Sequence, residues 1–277
     1  MKFAICNEMF EGWEFARVCE AASAAGYTGI EVAPFTVGRL AGDVPNTDRS
    51  AMRKAAEKNG LRIVGLHWLL AKTEGFYINH PDKAIRDRTV SYLRDLTNLC
   101  ADLGGDIMVF GSPKQRDVCE GLSKQQAWDY ALDTFGRALP ALERRNVTLC
   151  LEPLAPQETN FINTAAEAAR MVREVYSPFF RLLLDVKAMS SETTPIPDII
   201  RTQAGILKHF HANDANLRGP GFGDTDFVPI ATALKDIRYQ GWVSVEVFDF
   251  APDPVTIATK SMEYLRKVFR ESEEQKV

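Results

Sequence analysis

Four residues in the second half of the chain share one setting. Glu152 follows Leu-Cys-Leu, Asp185 follows Leu-Leu-Leu, His211 follows His-Phe, and Glu246 follows Val-Ser-Val. An acidic or imidazole group just after an apolar run belongs at the end of a buried strand, so four of them on successive strands converge at one mouth of a sheet. Three carboxylates crowded in a partly dry site repel one another, and a bound cation removes that penalty. Oxygen-rich ligation with one imidazole suits Mn2+, Mg2+ or Co2+ better than structural zinc, which takes Cys and His. The set therefore predicts one divalent metal ion, Mn2+ as first choice. Any one of these residues alone reads as an ordinary strand-end polar group; the repetition carries the inference.

The elements that must position them recur from end to end. Apolar, β-rich runs occur at 3–8, 29–35, 62–68, 106–112, 148–154, 181–187, 207–214 and 242–248. Near-continuous Val, Ile, Leu and Phe suits parallel strands covered on both faces. Between them lie single amphipathic stripes, such as Ile85, Thr89, Tyr92, Leu96, Leu99 and Leu103, or Trp128, Ala131, Leu132, Phe135, Leu139 and Leu142. Steps of three and four suit helices lying against a sheet. Thr164 with Glu167 is a capping-box pattern opening a helix at 165–175, and Gly26, Gly60 and Gly104 mark helix ends. Eight strand–helix units, with no G-x-G-x-x-G after the first strand, favour a closed (β/α)8 TIM barrel over an open doubly wound sheet. Residues 1–277 read as one domain, with the tail ESEEQKV expected to fray.

Three connections, 69–81, 187–198 and 213–227, are long or rich in loop formers, and all follow strands. They belong on the C-terminal face of the barrel, which carries the active site in this architecture. GPGFGD within the last could suggest a phosphate cradle, but no Lys-Ser/Thr follows, and a plain mobile loop is the better reading.

The chain has 277 residues, 45% of them hydrophobic, and a formal net charge of −4. That is enough for one large core and gives no electrostatic footprint for nucleic acid or an anionic membrane. Its five cysteines form no C-x-x-C pair, which suits a reducing, cytoplasmic setting. Glu8 interrupts the apolar start, so no signal peptide is expected, and no later run reaches 18 apolar residues.

Other residues carry open alternatives. His67 ends the third strand and faces either substrate or a hydrogen-bond partner. His209 shares a strand face with His211 one layer deeper, and reads as a supporting or core histidine. His80 before Pro81 reads as solvated. Glu8 and Glu31 end the first two strands, where binding substrate hydroxyls and facing outward are equally good readings. Ser112, Lys114 and Arg116 in GSPKQR offer contacts to an anionic or polyhydroxyl substrate or form a solvated turn. Trp68, Phe248 and Phe250 either wall a pocket or pack.

The motifs LEPLAPQETN, LLLDVKAM, HFHANDANLRGPGFGD and VSVEVF together resemble the xylose isomerase-like barrels, the sugar-phosphate isomerases and epimerases. The resemblance covers essentially the whole chain and is nearest to the D-tagatose 3-epimerase and ketose 3-epimerase branch. It implies that Glu152, Asp185, His211 and Glu246 bind the metal, that the two glutamates act as acid/base groups, and that Glu158 and Arg218 touch substrate. One departure stands out: the epimerases carry a histidine three residues after the metal aspartate, where this chain has Ala188. Lys187 or the GSPKQR turn is expected to supply the missing contact, for a larger or differently substituted keto-sugar. The implied reaction is proton abstraction beside a carbonyl through a metal-stabilised enediolate. Aldose–ketose isomerisation, or elimination from a keto-sugar, keto-inositol or keto-glycoside, would use the same groups; a non-catalytic sugar-binding barrel is the remaining alternative. A DNA-repair endonuclease of the endonuclease IV type shares this barrel but needs a histidine-rich three-metal site, and this chain has four histidines in all. A homo-oligomer is compatible with everything above.

Overall fold

The computed structural model describes residues 1–274. Eight strands run in parallel: β1 (Lys2–Cys6), β2 (Gly29–Val32), β3 (Arg62–Leu66), β4 (Ile107–Phe110), β5 (Thr148–Leu151), β6 (Phe180–Asp185), β7 (Leu207–Ala212) and β8 (Trp242–Val245). Each pairs with the next, and β1 pairs with β8 through Phe3–Val243 and Ile5–Val245, closing the expected (β/α)8 barrel. Around it lie α1 (Phe15–Ala25), α2 (Asn46–Lys58), α3 (Lys83–Asp102), α4 (Lys124–Arg145), α5 (Ala165–Val175), the single turn α6 (Val186–Met189), α7 (Ile196–Thr202), α8 (Phe227–Asp236) and α9 (Pro254–Glu274).

Several strands stop short of their apolar runs for local reasons. β2 ends at Val32 because Pro34 opens a 3-10 turn, and β5 ends at Leu151 ahead of Pro153; proline has no N–H to give a ladder. β6 ends where the Asp185 carboxylate accepts the Ala188 N–H at 2.7 Å and starts α6. Thr164 caps α5 as its spacing indicates, but the Glu167 carboxylate takes the N–H of Asn163 rather than that of Thr164, so the box is not reciprocal. Residues 271–274 of the tail remain helical in α9, and the last three lie outside the described residues.

Apolar burial falls into two layers. The larger cluster lies between barrel and helices; there Phe135 of α4 packs edge-on against Phe110 of β4 and tilted against Phe180 of β6. Truncating such a buried ring costs about 3–5 kcal/mol. The smaller cluster, Ala4, Val64, Ile107, Val109, Cys150, Leu183 and Trp242, comes only from strands and fills the barrel interior. Successive strand side chains point to opposite faces. Glu152 lies two residues beyond Cys150, Asp185 two beyond Leu183, and Glu246 four beyond Trp242. Strand parity therefore carries all three carboxylates inward, above the apolar plug. Among the described residues no helix is long and apolar enough to cross a membrane.

Candidate active site

Glu152, Asp185, His211 and Glu246 meet at the C-terminal mouth, each offering a ligand atom, with all four atoms within 4.8 Å of one another. All four are buried, none more than 5% exposed. Asp185 and His211 are register partners on β6 and β7, which fixes one edge of the cluster. Burial pushes the Glu152 carboxyl well above its usual range, and the nearby Glu246 and Asp185 add to it. Burial likewise raises Asp185, to about 6, against the pull of Lys187. For Glu246 burial works in the same direction, but His211 and His67 outweigh it and hold the carboxyl well below its usual range. Mutually repelling, desolvated carboxylates with one imidazole are the donor set of a hard or borderline divalent cation, so the residues fit the metal that the sequence implies.

A second ring of groups orients Asp185, His211 and Glu246. Nδ1 of His211 lies 3.0 Å from Glu246 Oε2, while its Nε2 lies 3.3 Å from Glu31 Oε2. Glu31 also meets His209 Nε2 at 2.6 Å. A carboxylate on the far nitrogen fixes the ring and tautomer of a ligating histidine. Glu8 and Glu31, left between two readings by the sequence, are buried inside the barrel, and His209 supports rather than ligates. Glu31 pairs with Cys6 across β1 and β2 in register and shares strand parity with Gly29, whose face meets Trp242, Val64 and Ala4. Asn213 donates to the Asp185 carboxylate at 2.5 Å and accepts the Lys187 N–H at 2.8 Å. Glycine at 111 is required by Glu152: a Cβ there would lie 1.8 Å from Glu152 Oε2.

Above the cluster opens a cavity of about 340 Å³, walled by Trp68, Ser112, Lys114, Leu154, Glu158, Lys187 and Phe248 and floored by Glu152 and Glu246. Lys187 Nζ pairs with Glu158 at 2.7 Å and lies 3.8 Å over the Phe248 ring. Lys187 thus brings a polar group to this wall, whereas the Ala188 backbone N–H serves Asp185. Trp68 and Phe248 stack at 5.8 Å.

Three residues do not line this cavity. His67 is fully buried beneath the wall, with Nδ1 3.3 Å from Glu246 Oε1 and Nε2 3.3 Å from Glu8 Oε2. It touches Glu246 of the four-residue cluster, not the cavity. Arg218 pairs with Asp249 at 2.8 Å and is absent from the cavity lining. Arg116 is fully buried and donates to the carbonyls of Glu152 and Phe110 at 2.7 and 2.8 Å, so it fixes the end of β5 rather than forming a solvated turn.

The family model described as xylose isomerase-like TIM barrel matches residues 19–268. The D-psicose 3-epimerase of Agrobacterium fabrum is 28% identical over 241 residues, covering 85% of this chain and 80% of the relative. A solved L-ribulose 3-epimerase superposes with a TM-score of 0.85 at 21% identity, covering 99% of this chain and 97% of that one. The 3-keto-D-glucoside 4-epimerase from E. coli superposes with a TM-score of 0.82 at 21% identity, covering 96% of this chain and 99% of that one. At that identity the superpositions speak to the barrel alone. With the matched span running from α1 into α9, the chain belongs to the xylose isomerase-like TIM barrel family.

Proposed function

We propose that this chain is a divalent-metal-dependent sugar epimerase acting at the carbon beside a ketone. The observation that carries it is that Glu152 and Glu246 belong to the four-residue ligand cluster and also line the cavity. A divalent ion held there, Mn2+ by our reading and Mg2+ or Co2+ as alternatives, supplies Lewis acidity to a carbonyl oxygen, worth several kcal/mol. One glutamate takes the proton from the carbon next to the carbonyl. The other, arriving from a different strand, returns a proton to the opposite face, which inverts that carbon. Positioned acid/base groups of this kind contribute about 10²–10⁴-fold. The relatives named as D-psicose and L-ribulose 3-epimerases support a ketose substrate.

Glu158 and Lys187, paired on the wall, are placed to hold sugar hydroxyls. His67 acts through Glu246. Arg218, whose Nε is engaged by Asp249, would reach a bound sugar through its terminal guanidinium nitrogens. Five free cysteines, four of them buried, support a reducing, cytoplasmic location. The test is incubation of the metal-loaded protein with a panel of keto-sugars in D2O. The expected result is deuterium at the carbon beside the carbonyl together with the epimer. Deuterium with loss of a β-substituent would make the enzyme a lyase. Absence of exchange from every sugar in the panel would overturn the epimerase reading.

A further inference from the structure

We propose that Trp68 is a positioning residue for Glu246, its indole N–H fixing Oε1 so that Oε2 is left toward His211 and the ligand cluster. Trp68 Nε1 donates to Glu246 Oε1 at 2.7 Å, while Oε2 lies 3.0 Å from His211 Nδ1. The two oxygens of one carboxylate are thus divided between two tasks.

The backbone shows why this takes a local distortion. Consecutive strand residues point to opposite faces, so His67 and Trp68 could not both reach one oxygen from a continuing strand. β3 ends at Leu66, and Trp68 adopts a left-handed φ of 51°. With that turn both side chains converge on Oε1, His67 at 3.3 Å and Trp68 at 2.7 Å. A bulky residue in the left-handed region persists only where its surroundings over-determine it, and such residues gather at functional sites. Here the indole is held by Phe248, stacked at 5.8 Å, and by Phe35 at 5.9 Å. The ring lines the cavity and its N–H serves the ligand beneath.

If Trp68 only walled the pocket, its ring would matter and its N–H would not. The experiment separates the two. Trp68→Phe and replacement by β-(3-benzothienyl)alanine both remove the N–H; the second keeps the indole shape, which covers the case in which Trp68→Phe misfolds. Metal dissociation constants come from competition with a chelator. The indole 1H–15N signal of Trp68, one of four tryptophans, is followed during Mg2+ titration. We expect metal affinity or kcat to fall about 10- to 100-fold in both variants, with KM changed far less. The Trp68 signal should shift on metal addition. Metal affinity and kcat within about twofold of wild type in the isostere, or a Trp68 signal indifferent to metal, overturns the proposal. It rests on reading Glu246 as ligand and acid/base group. Because the metal constant and the indole signal need no turnover, failure of the sugar chemistry and failure of this role are read separately.

Discussion

Gly111→Ala should silence the site while leaving the barrel intact. The added Cβ would stand 1.8 Å from Glu152 Oε2 and 3.0 Å from its Cδ, but 3.8 Å from its Cβ. Only the carboxylate end is struck, so the side chain swings while the strand stays. Contacts below 3.0 Å essentially do not occur at real Cβ atoms, so Oε2 must move by more than about 1 Å. A displacement of that size at a reacting group costs about 10²-fold, close to 2.7 kcal/mol in the barrier. Glu152 is also a proposed ligand, so metal affinity should fall with it. Stability moves little or slightly upward, because Gly→Ala at a compatible backbone gains about 0.4–1 kcal/mol through the unfolded chain. Gly111 is not among the glycines with positive φ, so alanine can adopt its conformation. The assay is kcat for epimerisation alongside metal affinity and the melting curve of the metal-free protein. Wild-type turnover and metal affinity in the alanine variant would refute the close approach of Gly111 to Glu152.

Further outcomes follow from the same geometry. Glu152→Gln and Glu246→Gln should each abolish turnover while at least one still binds substrate; epimerisation at the wild-type rate by metal-loaded Glu246→Gln would rule out the two-base scheme. Glu158→Ala should raise KM more than Arg218→Ala, because Glu158 lines the cavity while Arg218 is engaged with Asp249; loss of metal from both, equal to that in Asp185→Ala, would contradict these placements. Arg116→Met should lower unfolding free energy by about 3–5 kcal/mol, since two buried carbonyls lose charged donors; a denaturant midpoint unchanged from wild type would count against a structural role for Arg116.

The eight strands were legible because burial on both faces writes each as an apolar run, and the cluster of Glu152, Asp185, His211 and Glu246 because each follows such a run with inward parity. Strand ends were less so: Pro34 and Pro153 shorten runs whose hydrophobicity continues. The supporting ring was hidden for another reason. Glu31 meets His209 across a sequence separation of 178, and Trp68 meets Glu246 across the same separation. No local pattern records which side of a closed barrel faces which. Arg116, in a polar turn that could equally be solvated, folds inward onto backbone carbonyls that every residue possesses, so its identity alone held no clue. Arg218 and His67 fall outside the cavity because motif position gives the loop or strand end but not the direction of the side chain.

On the proposed reading, Glu152, Asp185, His211 and Glu246 together hold one catalytic divalent ion. Elemental analysis of purified protein, with turnover measured on the same preparation before and after chelation, tests it most directly. The expected result is about one ion per wild-type chain, almost none in Asp185→Ala, and loss of both activity and melting temperature on chelation that added metal restores. Full activity in wild-type protein shown to be free of metal, or a full complement of ion retained by Asp185→Ala, would contradict it.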